Sequence, residues 1–234
     1  MAASDLPVSN LFLAALPRED LDHLRPHLEP VDLPLRQVLH EVGEPIEHIY
    51  FHDGGMTSLL IPLEDGAILE VGVVGKEGLV GLPALLGAVT APHESMVQMP
   101  GAASRIRTDA LRAAMPRSLA LLDRVLRYSQ ALHAQVSRTA VCNVHHNLQE
   151  RLARWLLMAH DRAEADMLPL TQEFLSMMLG VRRAGVTVAA HILQQAGAIR
   201  YCRGRITVAD RKRLEASSCE CYGAVTAEVE QLFG

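Results

Sequence analysis

Residues 170–208 read LTQEFLSMMLGVRRAGVTVAAHILQQAGAIRYCRGRITV, and this stretch carries the clearest structural signals of the chain. Thr171 can cap a helix, and Gly180 permits the positive φ that a tight helix exit requires. The apolar residues between them recur at helical spacing: Phe174, Leu175, Met178 and Leu179. A second helix follows almost at once and stops before Gly197. Its expected apolar face comprises Val186, Val188, Ala189, Ile192 and Leu193. Two short helices joined so tightly predict a helix-turn-helix, whose second helix enters a DNA major groove.

A β-hairpin is predicted directly after the second helix, over residues 198–208. β-Forming residues flank a turn at Arg203-Gly204. A hairpin in this position is a wing, and Arg200, Arg203 and Arg205 would hold backbone phosphates there. The alternative is an ordinary helical hairpin with arginines on its surface. The arginine-bearing hairpin behind the second helix favours a winged helix-turn-helix.

The charge distribution agrees with DNA binding in this segment. The chain has 234 residues and a formal net charge of −5. Residues 167–213 nevertheless hold 8 Lys and Arg against 2 Asp and Glu, whereas residues 1–166 hold 14 against 21 and residues 214–234 hold 0 against 4. The positive charge is therefore concentrated in the predicted DNA-binding segment.

The N-terminus and the hydropathy pattern predict the cellular location. Residues 1–17 lack the basic start and long apolar run of a secretory signal. No apolar stretch reaches about 18 residues without a charge or a proline. We therefore expect a cytoplasmic protein without a membrane span.

The four cysteines do not have the spacing of a disulfide framework or of paired metal knuckles. Cys219 and Cys221 could clamp a metal or oxidise, but two thiolates two residues apart with no histidine nearby make a poor metal site. We expect structural thiols and no metal site.

The rest of the chain shows two sequence patterns, one typical of β-strands and one typical of helices. Residues 31–106 contain short β-rich runs separated by glycines, which predicts an all-β barrel or jelly roll behind short leading helices. Residues 108–162 are helical in pattern. The first of two helices there carries seven-residue rows: Leu122, Ser129 and Val136, and Leu126, His133 and Ala140. Such rows predict a dimer seam, with packing against the barrel as the alternative. The expected class is α+β, with a β-roll over residues 1–116, a dimerisation helix over 117–142 and a winged helix-turn-helix domain over 143–234.

This order of parts resembles the Crp/Fnr family of bacterial transcription regulators. The likeness covers nearly the whole chain and is most specific in residues 170–208, where Thr171-Gln172-Glu173 through Gly180-Val181-Arg182-Arg183 looks like the family's DNA-binding motif. Four glycines fall where the turns of the family's β-roll are expected: Gly54, Gly66, Gly75 and Gly81. The resemblance implies a homodimer that reads a two-fold symmetric operator on double-stranded DNA, contacts RNA polymerase, and responds to a small-molecule effector in a sensory β-roll.

The phosphate-binding cassette departs from that family pattern. Leu82 stands where the cyclic-AMP-binding members have a ribose-holding glutamate, and residues 77–104 contain no arginine or lysine to pair with a phosphate. Leu82, Pro83, Leu85 and Leu86 would make the pocket apolar, which suits an apolar or small neutral effector, or none. No cysteine precedes Cys142, which excludes the family's iron–sulfur branch in its usual form. No cofactor is identified, and the scattered N-terminal histidines are expected at the surface rather than as haem ligands.

The predicted recognition helix also differs from the family in one position of its Arg-Glu pair. Arg183 matches the arginine, and Ala184 replaces the glutamate. Arg183 is the expected reader of guanine O6 and N7, because a guanidinium donates two parallel hydrogen bonds to them. Arg182 and Arg200 would hold the DNA backbone, and Thr187 and His191 would touch bases or phosphates. The full set of expected DNA-binding residues is Thr171, Arg182, Arg183, Thr187, His191, Arg200, Arg203 and Arg205.

The expected function is therefore sequence-specific transcription regulation, not catalysis. A metal-dependent β-roll enzyme would need a ligand set, and His48 and His52 are four residues apart without a following glutamate and histidine to complete one. The remaining alternative is a ligand-binding β-roll module that regulates a protein partner without binding DNA.

Overall fold

The computed structural model describes residues 8–163 and 165–233, and its chain divides into two compact units. The first holds residues up to Leu59, then Val73–His133 and the stretch from Val229 onward; the second holds Leu60–Gly72 and Ala134–Glu228. None of the described helices is long and apolar enough to cross a membrane.

Short helices lead into a β-roll, as expected. Helices α1 (Leu11–Ala14) and α2 (Arg18–Leu24) come first. The strands are β1 (Glu29–Leu33), β2 (Val38–His40), β3 (His48–His52), β4 (Met56–Pro62), β5 (Ile68–Val74), β6 (Glu94–Met99) and β7 (Gly101–Arg107), with helix α3 (Leu82–Leu85) between β5 and β6. They form one sheet in the order β1-β7-β3 and another in the order β2-β6-β4-β5. Strand β7 pairs antiparallel with both β1 and β3.

The core of the first unit joins the leading helices, the roll and the following long helix. The Phe12 ring lies 5.8 Å from that of Phe51 and 6.1 Å from that of Tyr128. Tyr128 also occupies the space beside Gly78, so a methyl group at this glycine would overlap the tyrosine ring. The Tyr128 hydroxyl donates to the carbonyl of Leu79, at 3.3 Å. The aromatic ring therefore fixes the segment that corresponds to the phosphate-binding cassette.

Two of the four apolar residues expected to line the cassette are buried, and Pro83 is partly exposed. Leu82 and Leu85 are buried, and Gly81 before them has a φ of 101°. Leu86 is half exposed, so the expectation that it lines an interior pocket is wrong. The expectation of surface histidines also fails at two positions. His40 and His52 are buried and hydrogen-bonded, His40 to the carbonyl of His48 and His52 to Thr57 Oγ1, both at 2.8 Å.

Helices dominate the remainder of the chain. After α4 (Thr108–Ala114) comes the long helix α5 (Leu119–His145), which runs three residues past the expected boundary at 142. The chain continues through α6 (Leu148–His160), β8 (Met167–Leu168), α7 (Gln172–Leu179), α8 (Arg183–Gln195), β9 (Ile199–Cys202), β10 (Arg205–Val208), α9 (Arg211–Ala216) and α10 (Cys221–Gln231). Asn147 and Glu150 form a reciprocal capping box that starts α6.

Candidate nucleic-acid interface

The helix-turn-helix is formed by α7 and α8, and its local signals are those expected. Thr171 Oγ1 accepts a hydrogen bond from the backbone N–H of Phe174, at 3.1 Å. Gly180 ends α7 with a φ of 63°, and the next N–H, that of Val181, returns to the carbonyl of Ser176 at 3.0 Å. Helix α8 begins only three residues later, at Arg183. Capping and the left-handed glycine together fix the sharp angle between the two helices.

The buried face of α8 differs from the expected one at three positions, because Ala190 is buried and Val188 and Ile192 are not. The buried residues are Val186, Ala189, Ala190 and Leu193. Val188 and Ile192 are 61% and 39% exposed, so placing them in the core is wrong. Helix α6 approaches α8 closely, since a methyl group at Gly185 would come within 2.9 Å of Leu148 Cδ2. Val188 lies on the surface among the polar residues of the helix.

The predicted DNA-contacting residues of α8 are all exposed. Arg182 is the N-terminal flanking residue of the helix and makes no capping hydrogen bond through its side chain, and Arg183 is the first helical residue. Acidic side chains normally stabilise this end of a helix and cationic ones do not. Two arginines at the positive end of α8 are therefore unfavourable for the helix alone, and would become favourable beside an anion.

Thr187 and His191 follow at successive turns of the exposed face of α8. The Thr187 hydroxyl lies 2.8 Å from Gln172 Oε1 and 3.1 Å from the carbonyl of Arg183. This side chain therefore joins α8 to α7. His191 is exposed.

The wing has the predicted turn and register. Arg203 and Gly204 both have positive φ, 47° and 77°, as the two central residues of a type I′ turn require. Arg205 pairs with Cys202 across the turn. The inward residues Ile199, Ile206 and Val208 are buried, whereas Arg200, Arg203 and Arg205 are exposed. The short strand β8 adds a third strand beside β10 that the sequence did not indicate.

The wing is held to both helices of the motif. Gln194 Oε1, near the end of α8, accepts from the N–H of Tyr201 at 2.8 Å. At the tip, a methyl group at Gly204 would lie 3.3 Å from Thr171 Cγ2. The structure thus places the arginines of the wing and those of α8 in the same compact unit.

Two of the basic residues in this segment have structural roles instead. Arg211 binds Asp161 at 2.6 Å and Glu215 at 2.9 Å, and it donates to the hydroxyl of Tyr222. Burial raises the pKa of Tyr222 to about 12, so this hydroxyl keeps its proton. Arg213 donates to the carbonyl of Ala196 at 3.0 Å and so stabilises the C-terminal end of α8.

The five remaining arginines of this segment differ from Arg211 and Arg213 in their ion pairing. Among the residues that the structure describes, none of them forms an ion pair: Arg182, Arg183, Arg200, Arg203 and Arg205. Five exposed guanidinium groups without a carboxylate partner form a strongly cationic surface.

Helix α6 and the β4–β5 hairpin contact the helix-turn-helix at the end of α7 and at the turn that follows it. Arg151 of α6 donates to the carbonyl of Leu179, the last residue of α7. The outer half of the β4–β5 hairpin also contributes: Glu70 Oε1 accepts from Trp155 Nε1 at 2.7 Å, and both residues are buried. Leu69 lies against Gly180, where a methyl group would overlap its side chain. These contacts hold the turn between α7 and α8 in place.

Comparison with known proteins agrees with this geometry. Residues 150–217 match the family of Crp-like helix-turn-helix domains. None of the curated proteins compared with the chain matches it.

Three solved structures illustrate the likeness in fold. FixK2 from Bradyrhizobium japonicum superimposes with a TM-score of 0.71 at 16% identity, over 82% of this chain and 98% of its own. A putative transcriptional regulator of the Crp/Fnr family from Eubacterium rectale gives 0.70 at 16% identity, over 89% and 97%. The c-di-GMP-responsive global regulator CLP of Xanthomonas campestris gives 0.69 at 16% identity, over 83% and 100%. The fold is that of Crp/Fnr regulators, and the resemblance seen in the sequence is confirmed.

Proposed function

We propose that this chain, which carries a Crp-like helix-turn-helix domain on the Crp/Fnr fold, is a transcription regulator that binds double-stranded DNA as a homodimer in the bacterial cytoplasm. One observation supports this above the others: the five exposed arginines without ion pairs surround the N-terminus of α8 and the wing. A protein-regulating module without DNA binding would have no use for this cationic surface.

The arginines divide into two roles in this proposal. Arg182, Arg200, Arg203 and Arg205 hold phosphates and set the register on the duplex, helped by the free N–H groups at the start of α8. Arg183 enters the major groove and reads guanine through O6 and N7.

The other exposed residues of α8 refine base recognition. Val188, whose helical spacing predicted a core position, is 61% exposed and can contact the methyl group of a thymine. Thr187 and His191 touch bases or phosphates farther along the helix. Thr171 caps α7 with its hydroxyl and contacts the wing turn, so we propose that it supports the interface from its backbone position.

The dimer would form along α5. The residues of one seven-residue row, Leu126, His133 and Ala140, are exposed, whereas Leu121, Val125 and Tyr128 on another face are buried. The row therefore does not pack against the chain's own roll. Leu119, Val141 and Val144 are further exposed apolar residues of this helix, 82%, 52% and 91%. A second copy of α5 would cover this apolar surface.

The β-roll would not respond to an anionic cyclic phosphate. Leu82 is buried where a ribose-binding carboxylate would be needed, and the cassette segment has no cationic side chain. An apolar or small neutral effector, or none, fits this lining. RNA polymerase is the expected protein partner of the DNA-bound dimer.

The test is selection of bound sequences from a random duplex pool, followed by affinity measurements on a panel of operator variants. We expect a two-fold symmetric motif with half-sites about one helical turn apart. Arg183→Ala should relax preference at one base pair by about 1–3 kcal/mol, whereas Arg203→Ala should weaken all sequences alike. Arg112→Ala, which removes an exposed arginine from α4, is the control and should change neither. If both test variants lose affinity uniformly across the panel, Arg183 does not read sequence.

A further inference from the structure

Four metal-ligating side chains meet where the end of α5 lies against the junction of α9 and α10. Cys142 and His146 come from α5 and its end, and Cys219 and Cys221 from the junction. Their ligand atoms all lie within 4.8 Å of one another. The three cysteines are buried, and the His146 side chain is only 8% exposed. The expectation that no histidine lies near Cys219 and Cys221 is therefore wrong.

The spacing of the ligand atoms resembles the edges of a small tetrahedron. Cys142 Sγ lies 3.5 Å from Cys219 Sγ, and Cys221 Sγ lies 3.8 Å from His146 Nδ1. Zinc–sulfur bonds of about 2.3 Å place two tetrahedral thiolate ligands about 3.8 Å apart. The four side chains thus need only small changes in these distances to surround one ion.

His146 has the orientation that a metal ligand requires. Its Nε2 lies 3.1 Å from Glu220 Oε2, and its Nδ1 faces the thiol of Cys221. A carboxylate on the far nitrogen of a ligating histidine fixes the tautomer and makes the near nitrogen a better donor. Glu220 sits between the two cysteines in the sequence, so the same short segment supplies two ligands and the orienting group.

We propose that Cys142, His146, Cys219 and Cys221 bind one zinc ion in a closed tetrahedral site. Three sulfurs and one imidazole are a donor set of structural zinc sites, and four protein ligands leave no position open for a substrate. A zinc ion with three thiolates carries one net negative charge. The guanidinium of Arg154, which is buried nearby and acts electrostatically on both Cys142 and Cys221, would balance it.

The ion would join distant parts of the second unit. Cys142 and Cys219 are 77 residues apart in the chain, and α6, the helix-turn-helix and the wing all lie between them. Closing so long a loop through a metal restricts the unfolded chain more than the folded one. The site would therefore stabilise the DNA-binding module without touching DNA, and it stands independently of the function proposed above.

The experiment is metal analysis of the full chain purified without chelators from zinc-supplemented cells. We expect one zinc ion per chain by inductively coupled plasma mass spectrometry. Replacement by cobalt should give the visible ligand-field bands of a tetrahedral site and the near-ultraviolet bands of thiolate-to-cobalt charge transfer. Cobalt reports on the unaltered protein, so this readout does not depend on any variant folding.

Variants assign the ligands. Cys219→Ser and His146→Ala should lose the ion, whereas Cys202→Ser, on the wing, and His145→Ala, at the neighbouring exposed position, should keep it. Glu220→Gln should weaken zinc binding about 10–100-fold, because it removes only the orienting carboxylate. Zinc-free protein without cobalt bands would overturn the proposal. So would equal zinc content in Cys219→Ser and Cys202→Ser, or a native disulfide between Cys142 and Cys219.

Discussion

Arg182→Asp should stabilise the free protein and at the same time weaken DNA binding. Arg182 has the extended conformation of a helix-flanking residue, with φ −68° and ψ 141°, yet its side chain caps nothing, and the first turn of α8 holds no acidic residue. Aspartate at such a position contributes about 1 kcal/mol through capping. Reversing the charge at the positive end of the helix adds about 0.3–1 kcal/mol for an exposed, salt-screened site. We therefore expect the free energy of unfolding to rise by about 1–2 kcal/mol.

The same change removes a proposed phosphate contact. A hydrogen bond to a charged group contributes about 1.5–3 kcal/mol, so DNA affinity should fall at least about tenfold. The slope of log affinity against log salt should decrease by about 1. Unfolding is measured by urea titration with circular dichroism at a fixed protein concentration, and binding by fluorescence anisotropy over a range of salt.

Two variants separate the contributions. Arg182→Ser supplies a cap without reversing the charge, so it should gain less stability and lose less affinity than Arg182→Asp. Arg112→Asp introduces the same charge change on α4 and should leave DNA binding near that of the parent protein. A destabilised Arg182→Asp protein, or one that binds DNA with unchanged affinity, would contradict the two roles given to Arg182 at the start of α8.

Three further changes test other parts of the structure. Glu70→Leu leaves the indole N–H of Trp155 without this acceptor and should lower the free energy of unfolding by about 1–3 kcal/mol, measured by urea titration with the fluorescence of the chain's one tryptophan; Glu70→Gln, which keeps an acceptor oxygen, should lose less. Leu126→Glu should shift the protein toward monomer in sedimentation velocity, whereas Leu35→Glu, at an exposed leucine of the roll, should not. Gly180→Ala should cost at least about 1 kcal/mol by the same urea titration, because an alanine would be strained at φ 63° and would overlap a leucine side chain of the hairpin; unchanged stability would contradict this.

Features set by neighbouring residues could be predicted from the sequence. Thr171 and Gly180 act through groups at most a few positions away, and the wing turn needs only the positive φ that Arg203 and Gly204 adopt. These signals are local, so the motif is visible without the rest of the chain.

Features that depend on contacts between distant residues could not be predicted from the sequence. Helical spacing shows that α8 has an apolar side but not how wide the buried stripe is, and Val188 is exposed although its spacing fits that side. Cys219 meets Cys142 across 77 residues, and Trp155 meets Glu70 across 85. The spacing of residues along the chain does not predict such long-range contacts when several helices and strands lie between the two residues.

The outer half of the β4–β5 hairpin, residues 60–72, belongs to the same unit as the helix-turn-helix. The chain passes between its two units four times, after Leu59, Gly72, His133 and Glu228. A single genetic crossover within α5 would therefore transfer a DNA-binding part without the hairpin that supplies the acceptor for Trp155. Such a chimera would start with an unsatisfied buried donor, which costs about 1–3 kcal/mol. In related sequences, residues 60–72 should therefore covary with α6 and the turn after α7, as if they were inherited with the C-terminal part.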